Sequence, residues 1–485
     1  MSAVRKILSW PGRAGDTRPT ALWTAQEIAD TTGGTASGSF QVSGVEIDSR
    51  DVLAGDLFVA LIGESMDGHR FIDKAFANGA AAAIVDRPIA WPHVLVKDTG
   101  AALEDLARAA RARVDARIIG VTGSVGKTGV KEAIFAALQR SSRGKAHRSI
   151  RSYNNHVGVP LSISRMPPRS AYGIFEMGMN HAGEIRNLTA QVKPDIAVIT
   201  TIAPAHIENL GSEAAIADAK TEIFEGLNPG GVAIIPADNP HYERLCAAAE
   251  KHGARIVSFG ADPSADMRLL DAIPAATGGS LVTAQLHDQR LCYTVAEPGD
   301  HWVMNSLAVM ATVHEAGGDL GAAGLALGEM GGLKGRGARH RVVAPGGHVL
   351  FIDESYNANP ASMRATLAQL GQTPATRRVA VLGSMKELGD FAAAFHSQIA
   401  EPLAQANIDF AVLVGEEMAV LAQELGKGPS ATLGKTIGFA HCDGPGDAIA
   451  ALEAYGLVGG DAVLVKGSNS VGLGQVVARF TDRER

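Results

Sequence analysis

The segment Gly123–Thr128 has the composition of a loop that binds phosphate groups. It reads Gly-Ser-Val-Gly-Lys-Thr and lies between the apolar run 117–122 and the helix-like stretch 130–139. In a strand, glycine loop and helix in this order, backbone N–H groups surround phosphates, the lysine neutralises charge and the threonine hydroxyl coordinates Mg²⁺. Val121 stands where the longer G-x-x-x-x-G-K-[ST] pattern has its first glycine. We therefore predict that ATP or GTP contacts Gly123, Ser124, Val125, Gly126, Lys127 and Thr128.

A carboxylate stands at the end of a neighbouring predicted strand. Glu176 follows the apolar pair Ile174 and Phe175, so we expect it at the sheet edge that carries the phosphate loop. Mg²⁺ prefers hard oxygen ligands, and Glu176 together with Thr128 would supply them. We predict a magnesium site there; the alternative is a solvated carboxylate at a strand end.

The spacing of residues alone does not decide the roles of two further residues. His206 follows the strand-like run 196–199, where it could bind a metal ion or cap a loop. Lys220 lies on the helix-like stretch 212–227, a position typical of an exposed surface lysine.

Length and composition restrict the class of protein. A chain of 485 residues suggests about three domains. Its 44 basic and 51 acidic residues give a net charge of −7, which disfavours nucleic acid as a partner. The three cysteines are too few and too widely spaced for a disulfide framework or a metal-ligand pattern. We find no apolar stretch long enough for a membrane span and no signal peptide, so we expect a cytoplasmic protein.

The order of predicted elements indicates an α/β protein with three domains after an N-terminal extension of residues 1–21. Short strands and turns over 22–114 predict a small α/β domain. Residues 115–340 alternate β-branched runs with helical stretches, which predicts a mostly parallel sheet covered on both faces, with an antiparallel patch over 267–295. A fresh strand–helix alternation over 341–485 predicts a Rossmann-like domain.

Four motifs that occur in one order along the chain resemble those of the Mur ligase family. They are the phosphate loop, Asn154-Asn155-His156-Val157-Gly158-Val159-Pro160, Glu176-Met177-Gly178-Met179-Asn180-His181, and Asp353-Glu354-Ser355-Tyr356-Asn357-Ala358-Asn359-Pro360. Shorter matches are Asp48-Ser49-Arg50, Asp67-Gly68-His69, Ala219-Lys220-Thr221 and Leu382-Gly383-Ser384-Met385. The resemblance spans residues 22–480.

The resemblance implies an ATP- and Mg²⁺-dependent ligase that works as a monomer. It is nearest the branch that joins D-alanyl-D-alanine to UDP-N-acetylmuramoyl-tripeptide through an acyl phosphate, in peptidoglycan precursor synthesis. The three domains would bind the UDP precursor, ATP and the dipeptide in chain order. The resemblance does not decide the third residue of the peptide.

The resemblance also implies roles for individual residues. Catalytic residues would be Lys127, Glu176, His206, Lys220 and Arg336. ATP would contact the phosphate loop together with Asn305, Arg336, Asp353 and Glu354. Metal ligands would be Thr128, Glu176, His206 and, if carbamylated, Lys220. Substrates would contact Ser49, Arg50, Asn154, Asn155, Asn180, His181, Tyr356, Asn357, Asn359 and Lys466.

The sequence departs from the family pattern near the C-terminus, and other functions compete. Asn469 stands where the family often has an arginine, and Glu354 stands where an aspartate is more usual, so either Asp353 or Glu354 could face the nucleotide.

The nearest rivals are the tripeptide-forming Mur ligase and folylpolyglutamate synthetase, which share the architecture. A rival of another class is a switch or motor that hydrolyses ATP without an acyl acceptor.

Overall fold

The structure is a computed structural model that describes residues 21–63, 66–205, 207–275, 278–428 and 436–481. Its strands form three sheets of five, nine and six strands, together with a two-stranded ribbon. The mixed α/β class predicted from the sequence is confirmed.

The N-terminal region contains a small, mostly parallel sheet. Its strands run in the order β2-β7-β6-β5-β4, and β2 pairs antiparallel to β7. The strands of this region are β1 (Trp23–Thr24), β2 (Thr35–Ala36), β3 (Gln41–Val42), β4 (Gly44–Glu46), β5 (Asp56–Val59), β6 (Ala82–Val85) and β7 (His93–Leu95). Its α-helices are α1 (Ala25–Thr32), α2 (Ile72–Ala77) and α3 (Thr99–Ala112).

The central sheet has nine strands in the order β16-β15-β14-β13-β12-β11-β8-β10-β9. These strands are β8 (Arg117–Thr122), β9 (Ala146–Arg148), β10 (Tyr172–Glu176), β11 (Ile196–Ile199), β12 (Val232–Pro236), β13 (Arg255–Gly260), β14 (Met267–Pro274), β15 (Ser280–Leu286) and β16 (Gln289–Val295). The helices are α4 (Lys127–Ser141), α5 (Gly158–Ser164), α6 (Glu184–Val192), α7 (Ile207–Leu210), α8 (Glu213–Thr221), α9 (Tyr242–Lys251), α10 (Asp300–Glu315) and α11 (Leu320–Glu329).

Burial explains why the central strands are continuous apolar runs. Ile118, Ile119 and Val121 of β8 are fully buried, because helices cover both faces of the parallel part of the sheet. The last three strands, β14 to β16, pair antiparallel, which confirms the predicted patch over 267–295.

The C-terminal sheet has six strands in the order β17-β18-β22-β19-β20-β21, parallel except for β17 against β18. They are β17 (Ala338–Ala344), β18 (Gly347–Glu354), β19 (Arg378–Gly383), β20 (Phe410–Val414), β21 (Gly438–Cys442) and β22 (Ala462–Lys466). The helices are α12 (Pro360–Gln372), α13 (Ala392–Ser397), α14 (Ala400–Gln405), α15 (Ala419–Gly426), α16 (Pro445–Tyr455) and α17 (Gly474–Thr481). The predicted domain limits stay a prediction. The predicted boundary between residues 340 and 341 falls within β17, whereas a boundary before Ala338 would leave that strand in one domain.

None of the helices in the described ranges is long and apolar enough to cross a membrane.

A buried ion pair joins the N-terminal sheet to the central region. Arg165, just after α5, donates from Nη2 to Glu46 Oε2 at 2.7 Å and from Nε to the carbonyl oxygen of Val45 at 2.6 Å. Both charged side chains are at most 6% exposed. Nearby, the Trp23 indole donates to the carbonyl oxygen of Ser164 at 3.0 Å. These contacts position the N-terminal sheet beside the central one.

We predict that Arg165→Met lowers the free energy of unfolding by about 3 kcal/mol, because it leaves Glu46 charged and unpaired in a buried place. Denaturant unfolding checks this, with the exposed Arg169→Met as a matched control. Adding Glu46→Gln to Arg165→Met should recover part of the loss. Equal destabilisation by the two single variants would contradict the prediction.

Candidate active site

The phosphate loop joins the end of β8 to the start of α4, as predicted. Gly123 and Gly126 have φ angles of 144° and 86°, in the region that favours glycine. The loop is tied to the end of β11, because the Thr200 hydroxyl donates to the carbonyl oxygen of Val125 at 2.5 Å and the Ser124 hydroxyl donates to that of Ala203 at 2.8 Å. The N-terminus of α4 therefore opens towards the carboxyl ends of the parallel strands, where ligands collect in such sheets.

Lys127 lies over the loop and bonds its backbone. Its ammonium donates to the carbonyl oxygen of Gly123 at 2.7 Å. Desolvation lowers the pKa of Lys127 and the cation of Arg336 adds to this, while the carboxylate of Glu176 opposes it. An incoming phosphate would restore the balance of charge around this ammonium.

Asn305, predicted at the adenine, lies against the same loop. A β-carbon added to Gly126 would come within 3.0 Å of the Asn305 side-chain oxygen. The close approach needs a glycine at position 126, and it places an amide of α10 beside the start of α4.

Glu176 is the centre of a small buried cluster of oxygen ligands. It is 1% exposed, and its Oε2 accepts a hydrogen bond from the Thr128 hydroxyl at 2.9 Å. Its Oε1 accepts from the Asn154 amide at 2.7 Å. The Ser152 hydroxyl lies 3.3 Å from that of Thr128. Thr128 and Glu176 thus present adjacent hard oxygen atoms, a donor set that fits Mg²⁺.

Within the described residues no group of three or more His, Cys, Asp or Glu side chains forms a metal cage. This is compatible with Mg²⁺, which is usually bound by one or two carboxylates with water and substrate phosphates completing its shell. His206, the other predicted ligand, lies outside the described residues.

Lys220 is buried, so the surface position expected from spacing alone is wrong. It is 1% exposed on α8, and burial together with the cation of Lys127 holds its pKa well below the ordinary value. Neither an ion pair nor a hydrogen bond to its ammonium is found in the part of the chain that the structure describes. A buried amine of this kind is favoured in its neutral, nucleophilic form.

Arg336 extends from the end of the central region into this cluster. Its guanidinium donates to the Ser152 hydroxyl at 3.0 Å and lies 4.3 Å from the ring centroid of Tyr356. Arg336 therefore links the phosphate loop to the first motif of the C-terminal sheet.

Asp353 and Glu354 face different partners. Asp353 accepts from the backbone N–H of Gly335 at 2.9 Å and from the Ser355 hydroxyl at 2.6 Å, so its oxygens serve the local turn. Glu354 lies 3.7 Å from the Lys466 ammonium. Burial raises the pKa of Glu354, while Lys466 and Arg336 oppose the rise. Glu354 is accordingly the carboxylate that faces the cations of the cleft.

Several residues predicted to contact substrate have local structural partners. Asn155 caps the start of α5 by accepting from Gly158 N at 2.8 Å, and Asn359 caps α12 by accepting from Ser362 N at 2.9 Å. His181 lies on the surface beside Glu184. Arg50 is exposed and pairs with Asp48.

Two cavities border the site. The larger, of about 1180 Å³, runs between α3 and α6, with Asn155, Asn180 and His156 at one end. The smaller, of about 350 Å³, lies at the ends of the C-terminal strands next to Ala205. Its lining includes Asn357, Asn359, Lys386, Glu387, Ser468 and Asn469. Tyr356 and Lys466 lie beside it, since Lys466 donates to the carbonyl oxygen of Asn357 at 2.9 Å. Ser49 is buried in the N-terminal region.

Sequence reasoning missed Glu297, His301 and Lys131. Burial raises the pKa of Glu297 to about 8, with Glu354 adding and Arg339 opposing, and burial lowers the pKa of His301 to about 4. Glu297 and His301 carry no spacing signal, because they meet Glu354 and Lys466 only when the C-terminal sheet packs against the central region. Lys131 follows Lys127 by one helical turn, which is its only sequence signal.

Family models match most of the chain. The Mur ligase family catalytic domain matches residues 41–119, the Mur ligase middle domain 121–313, and the Mur ligase glutamate ligase domain 338–469.

The chain is similar to UDP-N-acetylmuramoyl-tripeptide–D-alanyl-D-alanine ligases along nearly its whole length. It is 36% identical to that of Synechocystis sp. over 92% of this chain and 93% of the relative. The Escherichia coli relative is also 36% identical, over 84% and 88%. Among solved structures, MurF from Acinetobacter baumannii superposes with a TM-score of 0.80 at 29% identity, covering 95% and 99%. MurF from Thermotoga maritima in complex with ADP gives 0.72 at 25% identity, covering 90% and 97%.

We predict that Glu297→Gln changes how stability depends on pH. Between the ordinary carboxyl pKa of 4.5 and about 8, the unfolded chain releases the Glu297 proton while the folded chain retains it, so Glu297 makes the fold less stable as pH rises. The unfolding temperature of Glu297→Gln relative to the parent should therefore increase from pH 5 to pH 8. The exposed Glu250→Gln serves as the control. A pH-independent difference would refute the prediction.

Proposed function

The chain belongs to the Mur ligase family, and on that premise we propose how its described residues carry out the ligation. It is an ATP-dependent ligase that joins D-alanyl-D-alanine to UDP-N-acetylmuramoyl-tripeptide in peptidoglycan precursor synthesis. The observation that carries the assignment of roles is the continuous set of contacts from Glu176 through Thr128 and Ser152 to Arg336. These contacts connect the proposed ATP site to the C-terminal sheet, whose strand ends border the smaller cavity.

The first step activates a poor electrophile. The terminal carboxylate of the tripeptide attacks the γ-phosphorus of ATP, the bond to the bridging oxygen breaks, and ADP leaves an acyl phosphate behind. Lys127 and Arg336 place two cations around the transferred group, where they offset its developing charge. Mg²⁺, held by Thr128 and Glu176, would supply further charge neutralisation at the phosphates. Asn305 and Glu354 would contact the nucleoside.

The second step forms the amide. The neutral amino group of D-alanyl-D-alanine attacks the acyl carbon, the tetrahedral intermediate collapses with loss of phosphate, and the nitrogen gives up a proton. The cavity of about 350 Å³ is a suitable place for the dipeptide because it is lined by amides, Lys386 and Glu387. With Asn469 neutral, Lys386 is the cation that the described lining offers to the dipeptide carboxylate.

The larger cavity, between α3 and α6, is a suitable place for the UDP-N-acetylmuramoyl-tripeptide. Asn155 and Asn180 line it, and Asn155 follows Asn154, which contacts Glu176, so they would guide the peptide towards Lys127. Ser49 and Arg50 would contact the UDP end of the precursor, and His181 would meet substrate from the surface. We also propose that the protein acts in the cytoplasm and as a monomer.

Coupled phosphate release tests the function directly. Phosphate should appear only when ATP, UDP-N-acetylmuramoyl-tripeptide and D-alanyl-D-alanine are all present, because the tripeptide must accept the phosphoryl group and the dipeptide must then displace phosphate from the acyl phosphate. Omitting each substrate in turn provides the internal control. Lys127→Ala should lower the rate at least about 100-fold, because it removes a cation that offsets the charge of the transferred phosphoryl group. Phosphate release that persists without either acceptor would favour a switch or motor ATPase.

We further propose that Lys220 is carbamylated and serves a second metal. Its neutral amine would attack CO₂, forming an N–C bond and losing a proton, so that the amine becomes an anionic oxygen ligand. Lys220→Ala should lose most activity and regain part of it with a short-chain carboxylic acid such as formate. Lys251→Ala, on an exposed end of α9, is the matched control. Unchanged activity of Lys220→Ala would exclude the role.

A further inference from the structure

Lys131 is a fully buried ammonium beside the proposed metal site. It lies one helical turn after Lys127 and Thr128 on α4 and is among the largest side chains with no exposed surface. A charge in such a place is costly unless hydrogen bonds and opposite charges surround it. The contacts that satisfy it therefore indicate what it holds in place.

The Lys131 ammonium binds backbone carbonyl oxygens of the segment 149–154. It donates to the carbonyl oxygen of Ser149 at 2.9 Å and to that of Arg151 at 2.6 Å. It also lies 2.9 Å from Glu132 Oε1 and 3.9 Å from Glu176 Oε2. One side chain thus joins α4, the segment 149–154 and the carboxylate at the end of β10.

That segment supplies the groups that orient Glu176 and Thr128. The Ser149 hydroxyl accepts from the backbone N–H of Glu176 at 3.2 Å, and Asn154 donates to Glu176 Oε1. The Ser152 hydroxyl contacts both Thr128 and Arg336. Movement of the segment would disturb all these contacts together.

The backbone at Arg151 shows that the segment is held under constraint. Its φ angle is 55°, a left-handed conformation that side chains other than glycine rarely adopt. Such strain persists only where neighbouring contacts impose it, and the carbonyl of Arg151 is one of the two that Lys131 binds.

We propose that Lys131 is a positioning residue for the Mg²⁺ site: it fixes the segment 149–154 and faces Glu176, so that Glu176 and Thr128 present their oxygens in the geometry the metal requires. The inference rests on the proposed Mg²⁺·ATP site and adds a residue that touches neither nucleotide nor reacting atoms. Residues that orient metal ligands typically change metal affinity 10- to 100-fold when they are lost.

Nucleotide binding with and without metal tests the role without requiring turnover. The full-length chain is titrated with a fluorescent ADP in EDTA and then in Mg²⁺, and bound Mn²⁺ is counted by electron paramagnetic resonance. In Lys131→Met we expect affinity in EDTA within about threefold of the parent, whereas the gain from Mg²⁺ and the Mn²⁺ affinity fall at least about 10-fold. An undiminished metal gain would overturn the proposal.

Two variants separate positioning from general stability. Lys131→Gln keeps an amide donor, so it should fold where Lys131→Met fails. Its side chain is one bond shorter and uncharged, so it should hold the two carbonyl oxygens less firmly, no longer attract Glu176, and lose most of the metal gain. Glu132→Gln removes the neighbouring carboxylate and leaves the carbonyl contacts, so its metal gain should stay within about twofold of the parent. A lower unfolding temperature in Lys131→Gln with a full metal gain, or an equal loss in Glu132→Gln, would show a merely structural role.

The result is independent of the ligase assay. If the parent binds nucleotide with a metal-dependent gain but needs no acceptor to release phosphate, the proposed function fails while the role of Lys131 is still tested. If the parent ligates but Lys131→Gln keeps its metal gain, only the inference about Lys131 fails.

Discussion

The structure depends on keeping one carboxylate, Glu176, buried, oriented and next to cations. A buried carboxylate is costly unless donors satisfy both oxygens, and here the Thr128 hydroxyl and the Asn154 amide do so. Because Thr128 belongs to the phosphate loop and Asn154 to the segment after β9, the carboxylate fixes the relation of two strand ends. The same oxygens suit a hard cation, so the contacts that hold the carboxylate also prepare a metal site.

The cations of the site repel one another and give the cleft a positive electrostatic character. Burial lowers the pKa of Lys127, Lys220 and Lys466; the charge of Arg336 adds to this at Lys127 and Lys466, and the charge of Lys127 adds to it at Lys220. Triphosphate, with its several negative charges, is the complementary ligand. Arg336 reaches Ser152 from the segment just before the C-terminal sheet, so this one contact connects that segment to the Glu176 cluster.

Periodicity and motif order predicted much of the fold. The apolar runs 117–122 and 196–199 form β8 and β11, and Ile174 and Phe175 lie in β10, because strands buried on both faces are continuous and apolar. The phosphate loop and Glu176 meet as expected, since parallel strands end at one edge. The catalytic roles stay predictions, and His206 lies outside the described residues. Lys131, Glu297 and the burial of Lys220 could not be predicted, because a charged residue has no apolar period by which its burial can be recognised.

The sequence by itself determined the family, the α/β class and the ligation, because the motifs are local and keep their order along the chain. It also predicted a glycine loop between a strand and a helix, and the structure has that loop between β8 and α4. Only the tertiary structure decided which charges are desolvated and which carboxylate of the pair 353–354 faces the cleft. Asp353 accepts hydrogen bonds from Gly335 and Ser355 and so stabilises the local turn. Glu354 lies beside Lys466, which belongs to a strand more than a hundred residues later in the chain. Burial and charge coupling depend on such distant neighbours, and no local pattern of residue types contains them.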